Sequence, residues 1–334
     1  MSIKILKPGL FSTIQDLGRI GYQDQGFSTA GVLDSYAFRL GQALINNEGP
    51  AIECTVIGPE IQFLEDNAFV ITGALFDAKL NDESVSNQTV YSVEQGDVLK
   101  LGQAVTGARG YVLFEKPLDL PLVAESYSTH TRSQMGGLQG RVLKPNDIIP
   151  CKTIEDLTSH VAYSLNIDHQ DFEQNTIRII EGSQIDAFSQ EAQEILVSNE
   201  YKISEKSDRM GYRLQGENIS PEEKADIISE PVALGSIQVP NDGNPIILLN
   251  DKQTVGGYTK IATVCAADLS VLAQKKPGET IHFEWSTVES AIESLEQKEK
   301  SFQERIKQVV EMPTFDINQM RRTSTRINNL LKGE

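Results

Sequence analysis

Residues 67–115, which read NAFVITGALFDAKLNDESVSNQTVYSVEQGDVLKLGQAVTGARGYVLFE, decide the fold class of this chain. Short runs rich in Val, Ile, Phe and Tyr alternate with turn residues, a pattern that predicts a meander of β-strands. The spacing favours a barrel or a sandwich over alternating β-α-β units. The predicted strands cover residues 68–71, 76–80, 89–93, 98–101 and 111–114, with a turn at 81–82.

Outward from this meander, the chain predicts one early helix and a second β region. The helix covers residues 34–44, with Asp34 as its N-cap and an apolar face. A polar linker over 156–175 separates a first β domain, 1–155, from a second, 176–286. The second domain is expected to contain strands at 177–180, 245–249, 261–265 and 280–285.

The last part of the chain, 287–334, is predicted to be a helical tail. Residues 286–289 have the form of a capping box, and Pro313 ends the helix that follows. Glu299 interrupts its apolar stripe, which favours packing on the body of the protein or on a partner over a long coiled coil. A second helix is expected over 320–331. The stripe consists of Val288, Ile292, Leu295, Phe302, Ile306 and Val309.

The bulk properties exclude several classes of protein. The 334 residues suggest two domains, and a net charge of −17 argues against binding nucleic acid or an anionic membrane surface. No apolar run approaches the length of a membrane span, and the N-terminus has no secretory h-region. Cys54, Cys151 and Cys265 show no metal-ligand spacing. A cytoplasmic protein is therefore expected.

Glycines cluster with charged side chains in two segments of the first domain. The first segment, 13–34, contains Arg19 and four glycines within fourteen residues; alternatively, it is a structural loop in which Asp16 and Arg19 pair. In the second, His130 is the candidate acid/base group, since imidazole titrates near neutrality and two hydroxyls precede it. Arg132 and Arg141 are candidates for holding a carboxylate or phosphate.

Two further segments lie in the second domain. Strand alternation would place Arg209 and Arg213 on one face of a strand, which suggests an anion site, although a solvated edge strand explains them equally well. In the other segment, a buried strand over 246–249 is followed by polar residues and a double glycine, as in many binding sites. The candidates here are Gln238, Asp251, Gln253, Thr254, Gly256, Gly257 and Tyr258.

Residues 19–26 and 209–216 share the pattern Arg-x-Gly-Tyr-x-x-Gln-Gly, a hint of two related barrels. The familiar phosphate-loop, dinucleotide, zinc-protease and nucleophile-elbow motifs do not occur in the sequence.

In this order, the four segments resemble the family of 5-oxoprolinase subunits of C type, also described as allophanate hydrolase subunit 2 or the biotin-dependent carboxyltransferase family, which includes the antagonist of a sporulation-kinase inhibitor. The resemblance spans roughly residues 4 to 285 and is carried by residues 13–19, 207–214 and 253–258. The family usually has Arg where Lys252 stands. Lysine keeps the positive charge but lacks the planar guanidinium that can donate two parallel hydrogen bonds. The other departures are Asn146, Asn241 and Asn244, where Gly, Pro and Gln are usual.

The resemblance implies a mostly β fold with two cyclophilin-like β-barrels. It also implies two partner proteins, namely a kinase-inhibitor-like subunit of B type and a lactam-utilisation-like subunit of A type. Together they would convert 5-oxoproline, a small-molecule amide substrate, into L-glutamate using ATP.

A mechanism follows as a hypothesis from this resemblance, because phosphorylation of the lactam oxygen would create a leaving group that water displaces. His130 or Asp251 would move the proton. Mg²⁺ is expected with ATP, with Asp251 or Asp242 as ligands. The neutralising groups would be Arg132, Arg141, Arg209 and Arg213.

Two alternatives remain open at the level of sequence. One is biotin-dependent carboxyl transfer to urea or a related amide, for which biotin would have to arrive on another chain because no Met-Lys-Met attachment site is present. The other is a non-catalytic regulator that binds a kinase-inhibitor partner through its C-terminal helix.

Overall fold

The structure, a computed structural model, describes residues 2–154, 160–166, 170–311 and 314–315. It confirms a mostly β protein with a helix near its C-terminal end. The predicted helix over 320–331 lies outside the described residues. No helix in the part of the chain that the structure describes is long and apolar enough to cross a membrane.

Among its described residues, 2–154, the first domain contains one α-helix, α1 (Ser35–Ile45), a short 3-10 helix over Gln23–Gln25, and eleven strands. The predicted N-cap of α1 is confirmed, because the Asp34 carboxylate accepts a hydrogen bond from the Ala37 amide at 3.0 Å. The strands are β1 (Ser2–Lys7), β2 (Ser12–Gln15), β3 (Ala51–Thr55), β4 (Glu60–Phe63), β5 (Asn67–Phe76), β6 (Lys79–Leu80), β7 (Glu83–Ser84), β8 (Tyr91–Val93), β9 (Val98–Lys100), β10 (Ala104–Phe114) and β11 (Ile148–Pro150).

These strands form two sheets that enclose the core of the first domain. One has the order β11-β1-β4-β9-β6-β7 and the other the order β2-β3-β10-β5-β8. Apolar residues of both sheets, such as Ile61 and Phe69, belong to a single buried cluster. Helix α1 covers the outer face of the five-stranded sheet through Phe38 and Leu44. The sheet is therefore buried on both faces, which explains the nearly continuous apolar sequence of β5 and β10.

The second domain follows β12 (Tyr163–Ser164) and α2 (Gln170–Glu173). Seven of its strands close into a barrel in the order β13-β20-β17-β18-β15-β14-β21. Its elements are β13 (Thr176–Glu181), α3 (Gln190–Ser198), β14 (Glu200–Ile203), β15 (Gly211–Gln215), β16 (Asp226–Pro231), β17 (Ser236–Gln238), β18 (Ile246–Leu248), β19 (Val255–Tyr258), β20 (Lys260–Val264), α4 (Leu269–Ala273) and β21 (Thr280–Trp285).

The predicted C-terminal helix is α5 (Val288–Glu311), and a last short strand, β22 (Thr314–Phe315), pairs with β12. The cap differs by one residue from the predicted capping box, since the Thr287 hydroxyl accepts a hydrogen bond from the Ser290 amide. The apolar stripe divides in two: Phe302 and Val309 pack on α1, whereas Val288, Ile292 and Leu295 are exposed. Glu299 marks the division and pairs with Arg39 of α1.

Candidate active site between the two domains

All four polar segments meet at the boundary between the domains. The Asn250 side chain, after β18, donates to the carbonyl oxygens of Ala30 and Val32 at 3.2 and 3.0 Å. The Ser28 hydroxyl donates to the carbonyl of Lys252 at 3.0 Å. His130 lies against the same turn, with its Nε2 3.4 Å from the carbonyl oxygen of Asp251. The segments that sequence analysis selects separately thus form one region.

Arg209 is a structural clamp in this region rather than a member of a strand. The strand β15 begins only at Gly211, so the predicted pairing of Arg209 and Arg213 on one strand face is wrong. The Arg209 guanidinium binds both carboxylate oxygens of Asp251 at 3.1 and 2.9 Å, Glu53 of the first domain, and the Gly31 carbonyl. Burial alone would lower the pKa of Arg209, but attraction to Asp251 and Glu53 outweighs it and raises the pKa.

Arg19, like Arg209, binds groups of the protein itself, in this case backbone carbonyl oxygens. Its guanidinium, which is fully buried, donates to the carbonyl oxygens of Val123 and Ser128. Asp16 does not pair with it directly and instead accepts hydrogen bonds from the hydroxyls of Ser126 and Ser128. Burial lowers the pKa of Arg19, while Asp16 and Asp251 oppose that shift. Both side chains therefore fix the loop that leads to His130.

His130 is buried and makes one short hydrogen bond to a side chain. Its Nδ1 lies 2.6 Å from the Ser133 hydroxyl oxygen. The two hydroxyls expected to assist it have other partners, because Ser128 donates to Asp16 and Thr129 donates to the carbonyl of Ile14. A Ser133 hydroxyl that donates to Nδ1 leaves Nε2–H facing the Asp251 carbonyl, an arrangement in which the ring is oriented from both sides.

Two adjoining cavities, which we call the cleft, lie beside His130 and along the second domain. The cleft consists of a cavity of about 550 Å³ next to β15 and β17 and one of about 540 Å³ next to His130. Both cavities are lined by Arg132, Met210 and Gln253. The cleft is large enough for a small organic acid with room to spare.

The cleft carries positive charge without matching ion pairs. Arg132 and Arg213 line it, are exposed, and form no salt bridge with any described residue. Two carboxylates also line the wider cavity, but each caps a turn: Asp208 accepts from the Met210 amide and Asp242 from the Asn244 amide. Such cations in a protein of net charge −17 mark a place where an anion can bind.

Arg141 is not part of this arrangement. It makes two hydrogen bonds to Asp147, at 2.7 and 2.8 Å, and a third to the Val142 carbonyl. The pair lowers the pKa of Asp147 through the hydrogen bonds from Arg141. Arg141 lines neither of the two cavities, and the structure thus gives it a local role in the turn over residues 141–147.

Gln238 lines the wider cavity and has a hydrogen-bond donor that is buried beneath its surface without a partner among the described residues. Its side chain is 2% exposed, and its Nε2 has no hydrogen-bond partner among the described residues. Gly256 lets the neighbouring strand pass close to it, since a Cβ there would lie 2.5 Å from that Nε2. Gly257 packs near the Ile227 carbonyl and only flanks the site. Gln253, Thr254 and Tyr258 line the cleft.

Lys252 and Ser133 are site residues that sequence analysis misses as candidates. Lys252 lines the cavity beside His130, and burial lowers the pKa of its amine. In the sequence, a role for Lys252 is indicated by its position directly after the candidate residue Asp251. Ser133 lies three residues after His130, within reach across a tight turn.

The residues present do not fit a magnesium site on this chain. No group of three or more His, Cys, Asp or Glu side chains arranged to hold a metal occurs within the described ranges. Both carboxylate oxygens of Asp251 are engaged by Arg209, and Asp242 caps an exposed turn.

The three cysteines are buried and free, and burial raises the pKa of both Cys54 and Cys151 to about 12.

Comparison with known proteins places these features in a family. The C-type subunit of 5-oxoprolinase from Haemophilus influenzae is 37% identical over 311 residues, which cover 92% of this chain and 99% of that protein. The protein of the same name from Escherichia coli is 33% identical over 309 residues, 90% of this chain and 97% of that protein.

A larger enzyme contains the same fold as one part. The crystal structure of Kluyveromyces lactis urea carboxylase matches with a TM-score of 0.82 and 27% identity, over 90% of this chain. This chain spans only 29% of the length of that protein. The family described as carboxyltransferase domain, subdomain A and B, matches residues 25–285. This protein therefore belongs to the carboxyltransferase domain family of subdomains A and B.

Proposed function

We propose that this chain is the C-type subunit of an ATP-dependent 5-oxoprolinase complex, which opens the lactam of 5-oxoproline to give L-glutamate. The observation that carries the proposal is the cleft, where unpaired cations lie in one groove with the unsatisfied amide donor of Gln238. A carboxylate and an amide carbonyl are the two groups that such a site would recognise. The near full-length match to proteins named as 5-oxoprolinase subunits of this type supports the proposed function.

The chemical roles follow from the positions of the side chains. Arg132 and Arg213 would bind the anionic groups, and Gln238 would donate to the lactam oxygen, where negative charge develops. His130 would accept a proton from the attacking water at Nδ1 once Ser133 gives up its hydrogen bond. Arg209 and Arg19 hold these groups in place and do not meet the substrate.

ATP and Mg²⁺ would lie on partner proteins, because the described residues of this chain do not fit a magnesium site. ATP would phosphorylate the lactam oxygen, water would add to the activated carbon, and the ring C–N bond would break as the nitrogen takes up a proton and leaves as the amine. A second water would then release phosphate from the resulting acyl phosphate to give glutamate. The partners would be a kinase-inhibitor-like subunit of B type and a lactam-utilisation-like subunit of A type, in keeping with the lettered names of the relatives.

Reconstitution tests the proposal. The chain is mixed with candidate partners of A and B type, and glutamate and phosphate are measured with and without 5-oxoproline. We expect both products to form in a fixed ratio, and only when all three proteins are present. A verified complex that releases no glutamate would rule the proposal out.

The second candidate is carboxyl transfer from biotin to an amide, which the fold match to urea carboxylase favours. The same cleft would then bind carboxybiotin and urea, with biotin on another chain. Decarboxylation of free carboxybiotin, stimulated by urea, is the measurement that would favour this candidate over the first.

A further inference from the structure

Lys252 differs from every other buried lysine among the described residues. Lys116 donates to Glu65 and to the Asp66 carbonyl, Lys260 pairs with Glu230, and Lys275 donates to Phe172 and Asn175. Lys252 is 7% exposed, yet its amine has no hydrogen bond or ion pair with any described residue. The Lys252 ammonium is not among the fully buried atoms without a partner, so it reaches the cavity, where partial desolvation favours a ligand that supplies an opposite charge.

The position of Lys252 is held firmly by backbone contacts, which directs the side chain into the cavity beside His130. Its amide donates to the Leu249 carbonyl at 3.0 Å, and its carbonyl accepts from the Ser28 hydroxyl across the domain boundary. The side chain lines the cavity together with Ser28, His130, Ser133 and Thr254.

The charges that surround this cavity favour an anion. The charged or titratable groups that line it besides Lys252 are His130, Arg132 and Asp251. Both oxygens of Asp251 accept hydrogen bonds from Arg209, but Arg209 also pairs with Glu53, so this cluster of one guanidinium and two carboxylates keeps a net charge of −1. The remaining formal charges of the cavity lining, on Lys252 and Arg132, are positive.

We propose that the Lys252 amine binds the carboxylate of the substrate and so selects an amide that bears an acid over one that does not. This inference rests on the proposed function and names the group that distinguishes 5-oxoproline from a neutral amide such as urea. The carboxylate would supply the partner that the amine lacks, while the lactam would extend along the cleft toward Gln238. Lys252 acts through binding, and bond breaking is left to other groups.

The proposal predicts a dependence on pH with a defined sign. Desolvation lowers the pKa of Lys252 below 10.5, so the free protein loses the ammonium at a lower pH than an exposed lysine does. Carboxylate binding is therefore strongest near neutral pH and weakens as the pH rises through the lowered pKa. Arginine stays protonated throughout this range, so Lys252→Arg should bind a carboxylate without that dependence.

The test is calorimetric titration of the full chain with 5-oxoproline and with 2-pyrrolidinone, the same lactam without the carboxylate. For Lys252→Met we expect a 10- to 100-fold loss of affinity for 5-oxoproline and less than a twofold change for 2-pyrrolidinone. Lys252→Arg should restore 5-oxoproline binding to within about fivefold. The control is Lys202→Met, which removes an exposed lysine of β14 outside the cleft. This substitution should change neither the affinity for 5-oxoproline nor the affinity for 2-pyrrolidinone.

Two outcomes overturn the inference: wild-type protein that does not bind 5-oxoproline, and Lys252→Met protein whose affinity for the two lactams changes equally. Turnover by the assembled complex separates this inference from the proposed function. A complex that makes glutamate equally well with Lys252→Met overturns only the role of Lys252. Binding of 5-oxoproline that depends on Lys252, in a verified complex that makes no glutamate, overturns only the oxoprolinase function.

Discussion

Arg209 and Glu53, which are 156 residues apart, form a buried ion pair that joins the second domain to the first. Asp251 completes the cluster from the turn that also contacts His130, so one guanidinium connects the domain boundary with the candidate active site. The geometry of the cleft therefore depends on the relative position of the domains, and a change at Arg209 should disturb stability and activity together.

Replacement of Arg209 by Met should lower the free energy of unfolding by about 3–5 kcal/mol, because it leaves Glu53 and Asp251 buried without their partner. Urea unfolding of the full chain measures this loss. Arg213→Met is the matched control: Arg213 is exposed, and its loss should change stability by less than about 0.5 kcal/mol. Equal effects of the two substitutions would contradict the clamp role of Arg209.

How much of this arrangement the sequence can predict depends on the distance over which each interaction acts. The cap on α1 and the presence of a meander are predicted correctly, because their patterns repeat within a few residues. The strand bounds are not: β5 continues to Phe76, where a separate strand is predicted to begin, and β10 begins at Ala104 and runs through a predicted turn. The Arg209 contact to Glu53 cannot be predicted, since it depends on how two domains pack. An arginine that pairs with the protein's own carboxylates and one that is free to bind a ligand look the same in sequence, which is why Arg141 and Arg209 are selected together with Arg132.

The candidate role of His130 comes from its residue type, but its partner does not. Ser128 and Thr129 are its neighbours in sequence, yet strand-like backbone turns them toward Asp16 and Ile14. Ser133 reaches the ring because the chain reverses between His130 and Met135, which are paired by backbone hydrogen bonds. The exact closure of a turn depends on packing that a local pattern does not contain.

His130→Gln should reduce the kcat of the reconstituted complex by about 10²- to 10⁴-fold, the usual contribution of a general base. Ser133→Ala should have a smaller effect, roughly tenfold, since it removes only one of the two contacts that orient the ring. Glutamate release measures both changes, and thermal unfolding of each variant should stay close to that of the wild type. A His130→Gln complex with normal turnover would remove His130 from the mechanism.

Gly136→Ala should displace the loop that carries His130. Gly136 has φ of +66°, and a Cβ there would collide with the Ser128 carbonyl and with the Arg19 guanidinium. We expect a loss of about 1–3 kcal/mol in stability together with reduced turnover. The matched control is Gly21→Ala, with φ of +91° and no atom within 4 Å of the added methyl group, which should cost less and leave turnover unchanged. Equal losses for the two would show that backbone strain alone explains the effect.

Lys252→Met should leave the protein as stable as the wild type or make it more stable, although it weakens substrate binding. The folded protein lowers the pKa of Lys252, so between that pKa and 10.5 the unfolded chain binds more protons than the folded chain. Below the lowered pKa, the desolvated ammonium therefore reduces the free energy of unfolding. Urea unfolding at pH 7.5 measures the change, with Lys202→Met as the control. A clear loss of stability in Lys252→Met would show that the lysine has a structural role instead.

The three thiols should resist modification in the native protein. Cys54 and Cys151 are buried, and a pKa of about 12 leaves roughly one thiolate in ten thousand at pH 8. Titration with a disulfide reagent should detect almost no thiol in minutes without denaturant and all three in its presence. Rapid reaction of one equivalent in the native state would show that one of these cysteines becomes accessible.

The ion pair between Glu299 and Arg39 should make the packing of α5 against α1 weaker at low pH. Two hydrogen bonds of 2.8 Å from Arg39, with a further one from Gln303, lower the pKa of Glu299 to about 2. Because the pKa of Glu299 is lower in the folded than in the unfolded protein, the pair contributes fully to the free energy of unfolding above pH 4.5. This contribution is lost as the pH falls toward 2. Glu299 is 45% exposed, so solvent screening limits this contribution to about 0.5–1 kcal/mol.

Glu299→Gln should therefore be less stable than the wild type by this amount at pH 7, and the difference should shrink below pH 4.5 and largely disappear only near pH 2. Urea unfolding at several pH values measures it, and subtracting the two proteins cancels the titration of all other acids. Glu304→Gln, on the exposed part of the same helix, is the control and should show no such trend. A difference that was as large at pH 2 as at pH 7 would mean that Glu299 stabilises α5 through packing rather than through its charge.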